Sequence, residues 1–375
     1  MSEADGALKR KLDAAVEGEV LFDRFSRGRY ATDASVYQMM PLGVVVPKTF
    51  ADVEATLSIA RDEGVPVLPR GGGTSQCGQT VNRAIVIDFT KHLNRLVEVD
   101  PKAGTAVVEP GLVLDRLNGM LKPHGLWYPV DISTSSRATL GGMAANNSCG
   151  SRSLRYGIMR DNLLAIDALL ADGSRARFED VPRDLATLND RTDLQALFGD
   201  LLALGAREAD EIRARFPELN RRVGGYNIDA LMPNGASNNM AHLLTGSEGT
   251  LAISEKITLK LSPVLSEKVL GVCHFPTFHA AMDAAQHLVK LDPVAVELVD
   301  RTMIELSRDI PIFRPVVDRF VRGEPDALLL VEFAEPDQAE NLRRLEALHG
   351  VMADLGFRFD DPGKQPGGVV EATDP

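Results

Sequence analysis

Residues 66–80 read PVLPRGGGTSQCGQT, a short apolar strand running at once into Arg70, three consecutive glycines and a string of small polar residues. Three adjacent glycines pack no side chain and cost backbone entropy. Two readings fit them. One is an ordinary glycine turn. The other is a loop that a ligand approaches closely, its successive N–H groups forming an anion nest to which Thr74, Ser75 and Gln79 add donors. No GK[ST] follows, so this is not a Walker loop, and no GxGxxG opens a helix, so it is not a Rossmann fingerprint.

On either side, strands and helices alternate. Upstream, 5–21 has apolar residues at Leu8, Leu12, Val16 and Val20 and predicts an amphipathic helix. Val44-Val45-Val46 forms a β-branched strand. Thr49 and Asp52 form a capping pair for a helix that Gly64 ends. Downstream, AIVIDF (84–89), LVEVD (96–100) and TAVVEPG (105–111) are close-set strands whose punctuation suggests antiparallel pairing. A helix spans 112–124, a hairpin turns at Asp172-Gly173 within 163–178, residues 183–216 are a helical insertion, and 249–261 alternates as a strand. Beyond Ser262-Pro263, strands at 268–275, 293–300 and 326–335 alternate with two helices. They read as the start of a small α+β domain, with an irregular tail from Asp360.

A second loop reinforces the first. Residues 128–164, YPVDISTSSRATLGGMAANNSCGSRSLRYGIMRDNLL, are rich in small and hydroxylated residues and poor in charge. Such a run builds no core, and its apolar flanks argue against a disordered linker. It suits a wall of backbone and hydroxyl groups around a large polar ligand, with Gly141-Gly142 permitting close approach and Asn146, Ser148 and Gly150 offering hydrogen bonds.

Bulk properties narrow the function. The chain has 375 residues, 44% of them apolar and 25% charged, with a formal net charge of -12. That balance opposes nucleic-acid binding, which needs a basic face. Cys77, Cys149 and Cys273 stand far apart without CxxC spacing and read as reduced thiols of a cytoplasmic protein. The charged N-terminus has no signal-peptide h-region, and no apolar run reaches membrane-span length, although attachment to the inner face of a membrane is compatible with the sequence.

With RGGGTS, PVDISTSSRATLGGMAANNSCG, RYG and TGSEGTLAI (245–253) in order after the strand ending at Pro47, residues 41–265 resemble the FAD-binding domain of the vanillyl-alcohol oxidase, or PCMH-type, FAD-linked oxidases. The resemblance implies an α+β fold in which the FAD-binding domain has two α+β subdomains. A segment at 1–40 would precede it, and the start of an α+β cap domain at 266–375, apparently truncated, would follow. It implies cofactor contacts from Arg70, Gly71, Gly72, Gly73, Thr74, Ser75 and Gln79 on the first loop, and from Asp131, Ser135, Thr139, Gly141, Gly142, Asn146, Ser148, Gly150 and Tyr156 on the second. Glu248, Gly249 and Ile253 complete the set. Taken alone, Asp131 and Asp161 read as turn-forming or capping residues.

Within the family the chain is most similar to D-2-hydroxyacid dehydrogenases acting on D-lactate, glycolate or D-2-hydroxyglutarate, especially large bacterial members fused to an iron–sulfur module. NRRVGGYNIDALMP (220–233) resembles their carboxylate-binding segment, which implies Arg221 or Arg222 together with Tyr226. A guanidinium grips a carboxylate bidentately, and a tyrosine adds an oriented hydroxyl. The expected reaction is oxidation of a D-2-hydroxy acid to the 2-oxo acid. Another oxidase or reductase on the same scaffold, or a non-catalytic FAD-binding subunit, are the alternatives. Departures from the family matter too. Thr74 replaces the histidine that tethers flavin covalently in some members, so non-covalent FAD is expected. The His-rich zinc motif of related caps is missing, and His274 and His279 read as packing residues, so no metal is assigned. No iron–sulfur cysteine cluster is present in the sequence, so such a cluster would lie in a further C-terminal region. No catalytic base is assigned. Electrons would leave through that region or a diffusible acceptor, and homo-oligomers are compatible with the sequence.

Overall fold

The computed structural model describes residues 3–188, 191–360 and 367–373. The chain divides into two compact units, one formed by 1–149 and 158–263, the other by 150–157 and 264–375.

The first unit is built on two sheets. In the smaller, the strands run Glu19–Leu21, Gly43–Val46, Ile85–Asp88, Val67–Arg70 across the sheet. The central two are buried on both faces, as parallel strands covered from both sides must be. The Phe50–Asp62 helix provides the crossover between Gly43–Val46 and Val67–Arg70, and Ile85–Asp88 enters between them, parallel to both. The antiparallel pairing expected for 84–89 is therefore wrong for that strand. Its neighbours were read correctly: Leu96–Asp100 and Thr105–Val108 are antiparallel. The predicted helix over 5–21 ends at Ala15, and Glu19–Leu21 becomes an edge strand beside Gly43–Val46. Gly18 permits this change, because a Cβ there would run into the carbonyl oxygen of Val46. Asp52 secures the next helix. Its buried carboxylate accepts from the N–H groups of Glu17 at 2.8 Å and Lys48 at 2.7 Å, and more distantly from that of Thr49.

The larger sheet is fully antiparallel, in the order Leu96–Asp100, Thr105–Val108, Ile253–Lys260, Leu163–Leu169, Arg175–Phe178. The last two strands are the hairpin expected at Asp172-Gly173. The insertion is helical over Thr192–Arg207 and Ala209–Arg215, and Phe198 from it is fully buried against Phe178, edge to face at 5.2 Å. Leu169 and Ile253 reach the core beneath the Phe50–Asp62 helix, where Val53, Leu57, Ile87 and Phe89 lie. That shared apolar contact fixes the two sheets of the unit against each other, and the loops leaving both sheets build one cavity.

The second unit has one antiparallel sheet ordered Ala295–Asp300, Ala327–Phe333, Val269–Phe275, Gly368–Ala372. The passages through helices Phe278–Leu288 and Gln338–Asp354 each skip one strand, the split βαβ arrangement of ferredoxin-like folds, whereas Ala295–Asp300 and Ala327–Phe333 are direct neighbours. Helices Phe278–Leu288 and Gln338–Asp354 supply Ala281, Leu288, Leu345 and Leu348 to one face of the sheet. Arg301–Asp309, a helix that the sequence reading missed, covers the other with Ile304. The tail also corrects an expectation. Residues 361–366 and 374–375 lie outside the described residues, but Gly368–Ala372 is an edge strand and not irregular chain.

Candidate functional site

Within the first unit, the glycine-rich loop together with residues drawn from 132–149 and 244–254 lines a cavity of about 490 Å³. That volume falls within the usual range of small-molecule and cofactor sites, about 300–1,000 Å³. The glycines are there for more than one reason. A Cβ on Gly71 would collide with Thr139 Oγ1, and one on Gly72 would collide with the carbonyl oxygen of Arg137. A Cβ on Gly141 would come within 2.6 Å of Pro110 Cβ. These three let protein loops approach one another. Gly73 and Gly249 serve differently, since both have positive φ, at 64° and 72°, which favours glycine in any setting. Gly142 is the least constrained, with Thr139 Oγ1 the nearest atom to its Cβ position at 3.3 Å.

Two residues other than glycine in the cavity wall adopt left-handed backbone, Asn147 with φ 50° and Glu248 with φ 54°. Such conformations cost about 1–3 kcal/mol and cluster at functional sites. Both stand beside unmet hydrogen-bonding capacity. Gln79 Oε1 and Asn147 Nδ2 are buried without a partner, whereas Asn147 Oδ1 accepts from the N–H of Arg160 at 3.1 Å. Gln79 Nε2 donates to Asn146 Oδ1 at 3.4 Å and to Glu248 Oε2 at 3.3 Å. Glu248 is exposed as a residue, but burial of its carboxyl end at the cavity raises its pKa, opposed by the hydrogen bond from Gln79. Arg70 is committed to the protein. Its guanidinium donates to the carbonyls of Tyr30, Thr32 and Thr80 at 3.1, 2.7 and 3.0 Å and lies 5.5 Å from the Tyr30 ring centroid. Burial lowers its pKa, opposed by Asp33 and Asp88. Arg70 therefore shapes the start of the glycine loop.

The cavity brings together most of the residues singled out in the sequence: Arg70 to Ser75, Gln79, Thr139, Gly141, Gly142, Asn146, Ser148, Glu248, Gly249 and Ile253. Asp131 and Ser135 are not among its lining residues, and Ser133 and Thr134 are there instead. Gly150 and Tyr156 belong to the segment that joins the second unit, where Arg152 pairs with Glu332 at 2.9 Å and Arg155 with Glu335 at 2.8 Å. Asn147, Ser247 and Val223 line the cavity without having been singled out. Of these only Asn147 left a signal, as an asparagine following a short helix, where left-handed backbone is common.

The 220–233 segment separates its two arginines. Arg222 pairs with Asp229 at 2.5 Å, donates to Asn227 Oδ1 and lies 4.5 Å from the Phe216 ring centroid. Arg160 binds the other oxygen of Asp229 at 2.8 Å. Burial pushes the Asp229 carboxyl up, but the two guanidiniums outweigh it and hold the pKa below its ordinary value. Arg221 is exposed, and the hydroxyl of Tyr226 hydrogen-bonds Thr250 Oγ1 at 2.7 Å. None of these three side chains lines the cavity, whereas their neighbour Val223 does. Among the described residues no group of three or more His, Cys, Asp or Glu side chains is arranged to hold a metal ion, and no helix is long and apolar enough to cross a membrane.

Comparison with known proteins places these features. Residues 41–179 match the FAD binding domain family, and residues 265–359 match the C-terminal domain of FAD linked oxidases. The chain is 32% identical over 372 residues to D-2-hydroxyglutarate dehydrogenase of Escherichia coli (strain K12), covering 95% of this chain and 36% of that protein. It is 30% identical over 312 residues to D-lactate dehydrogenase of Archaeoglobus fulgidus, covering 82% and 58%. Among solved structures, an alkyldihydroxyacetonephosphate synthase superposes with a TM-score of 0.69 at 19% identity, over 97% of this chain and 61% of that one, a likeness of fold. The chain spans about a third of the length of the D-2-hydroxyglutarate dehydrogenases it matches, between 34% and 37%.

Proposed function

This chain belongs to the FAD-linked oxidase family, and on that premise we propose that it holds FAD non-covalently in the cavity of its first unit. We propose further that it serves a dehydrogenase acting on a D-2-hydroxy acid of the D-2-hydroxyglutarate or D-lactate class. The observation that carries the reading is the convergence of three distant loops on a cavity with unpartnered buried polar atoms, Gln79 Oε1 and Asn147 Nδ2. Orphaned polar atoms in a folded interior mark a place where a polar ligand belongs. Backbone and hydroxyl groups of Gly73, Thr74, Ser75 and Ser148 offer neutral donors for a phosphate-bearing ligand. Thr74 stands where a covalent tether would need a nucleophilic histidine.

When bound, the flavin supplies the hydride acceptor for alcohol oxidation. The protein's part is to hold the substrate and steer its hydrogen. Arg222 is held by Asp229 and braces the 220–233 segment, and the exposed Arg221 is assigned to the substrate carboxylate. Tyr226, its hydroxyl oriented by Thr250, adds a second contact. The relatives' names support this substrate class.

The test begins with the visible spectrum of the purified chain, followed by acid precipitation. Flavin absorbance that passes to the supernatant as FAD supports the reading. A folded protein that stays colourless after incubation with FAD overturns it. For substrate class, the flavin of the full-length protein is titrated anaerobically: bleaching by D-2-hydroxy acids supports the assignment, and bleaching by NADPH alone refutes it.

A further inference from the structure

We infer that Gln79 is a fixed hydrogen-bond acceptor in the cavity wall, held in one orientation by Asn146 and Glu248, and that it reads a planar N–H donor on the bound dinucleotide. The inference rests on the FAD reading and adds to it a residue that discriminates among flavins.

A primary amide carries two donors on its nitrogen and an acceptor on its oxygen, and a swap of the two ends reverses what it offers. At Gln79 the nitrogen faces two acceptors, Asn146 Oδ1 and Glu248 Oε2. Turned over, Gln79 would set its carbonyl oxygen against a carboxylate, which only accepts when ionised. Asn146 is itself directed by the bond from its Nδ2 to Ser148 Oγ at 3.4 Å. Glu248 is fixed through its backbone, whose N–H donates to the carbonyl of Ala145 at 2.9 Å, and it keeps a left-handed φ of 54° there. Three loops separated by 67 and 169 residues thus combine to aim one amide.

The consequence falls on Oε1. It is buried and has no partner among the described residues. A buried carbonyl left without a donor is costly, because it has given up water for no partner. A bound donor offsets that cost. FAD has two planar N–H sources, the imide of the flavin ring and the exocyclic amine of the adenine, and the same acceptor suits either. Glycine neighbours at 71–73 and 78 leave the loop no other side chain as long as Gln76 and Gln79. Gln76 is exposed, so Gln79 is the one whose amide is held.

The experiment is a double-mutant cycle on FAD affinity, read by quenching of flavin fluorescence. Wild type and Gln79→Leu are each titrated with FAD, with FAD methylated at the ring imide nitrogen, and with FAD dimethylated at the adenine amine. For the wild type, the analogue lacking the donor that Gln79 reads should bind about tenfold or more weakly. In Gln79→Leu that penalty should largely vanish. The identity of the affected analogue tells which end of FAD lies at Gln79. Gln79→Glu, of the same shape but with two acceptors facing the Glu248 carboxylate, should weaken FAD itself. It also stands in if the leucine variant fails to fold. The inference is overturned if both methylated analogues show the same penalty in variant and wild type, with FAD still bound. A wild type that takes up no FAD overturns the functional reading as well, so the two failures are distinguishable.

Discussion

Two glycines of the cavity wall separate what the protein needs from what its ligand needs. Consider Gly72→Ala and Gly142→Ala. A Cβ at residue 72 would lie against the carbonyl of Arg137, inside contact distance of the oxygen and 3.1 Å from the carbon, and a backbone carbonyl cannot rotate away. Overpacking of that kind costs about 1–3 kcal/mol. A Cβ at residue 142 meets only Thr139 Oγ1, at 3.3 Å, and residue 142 lies inside the Leu140–Asn146 helix, where alanine is favoured over glycine by up to about 1 kcal/mol. Without ligand, the two variants should therefore differ in stability by about 1–4 kcal/mol, with Gly72→Ala the weaker. Urea unfolding followed by fluorescence measures this, because the chain has one tryptophan, Trp127, and it lies in the first unit. FAD affinity is then measured on both. If a ligand approaches the backbone at 142, Gly142→Ala loses about tenfold or more in affinity while keeping its stability. Gly72→Ala as stable as wild type would refute the loop-on-loop packing, and Gly142→Ala with full stability and full affinity would refute close approach there.

Three more outcomes are expected. His274 is buried and uses both ring nitrogens, Nδ1 with the carbonyl of Val272 at 2.9 Å and Nε2 with the N–H of Arg322 at 3.0 Å, and burial lowers its pKa. A depressed histidine contributes stability that is present above its unfolded pKa of about 6.5 and lost as pH falls through the folded value, by at most about 1.4 kcal/mol per pH unit. Hydrogen exchange of the Val269–Phe275 strand should accelerate from pH 7 to 5 beyond the intrinsic change, and an unchanged protection factor would contradict this. Arg222→Ala removes one of the two cations on Asp229 and should cost about 1–2 kcal/mol in urea unfolding. Arg221→Ala should raise the hydroxy-acid KM of the full-length enzyme, and a KM effect found only in Arg222→Ala would exchange their roles. Asp52→Ala strands the N–H groups of Glu17 and Lys48 and should cost about 2–4 kcal/mol, with a loss under 1 kcal/mol showing that water replaces the carboxylate.

What was legible in the sequence was local. Thr277 capping the Phe278–Leu288 helix through the N–H of Ala280, the Asp172-Gly173 turn and the alternating strand ending at Lys260 each follow from residues within one turn or one hairpin. What escaped depends on partners far along the chain. Gly368–Ala372 follows a run of Asp, Pro and Gly and shows no pattern of its own, and it becomes a strand because Val269–Phe275 offers it an edge. Ile85–Asp88 has the same composition whether parallel or antiparallel, and its direction follows from residues 71–84, which return the chain from Arg70 to the level of Val67 before the strand begins. Three glycines announce a close approach without saying of what. Gly71 and Gly72 meet residues 139 and 137 of the second loop, which no inspection of 66–80 alone could foresee.

The arginine pair shows the same limit at the scale of single side chains. Arg221 and Arg222 are chemically identical and adjacent on an irregular loop, so nothing in their own spacing ranks one above the other. The distinction comes from Asp229, seven residues on. It draws Arg222 into a cluster with Arg160 and Asn227, with the guanidinium also lying over the Phe216 ring. A guanidinium so engaged would have to give up a half-buried carboxylate before gripping a substrate, trading one charge-assisted pair for another at little net gain. Arg221 lies exposed on the same loop. Arg222 thus fixes the segment, which is why the proposed carboxylate contact is assigned to Arg221.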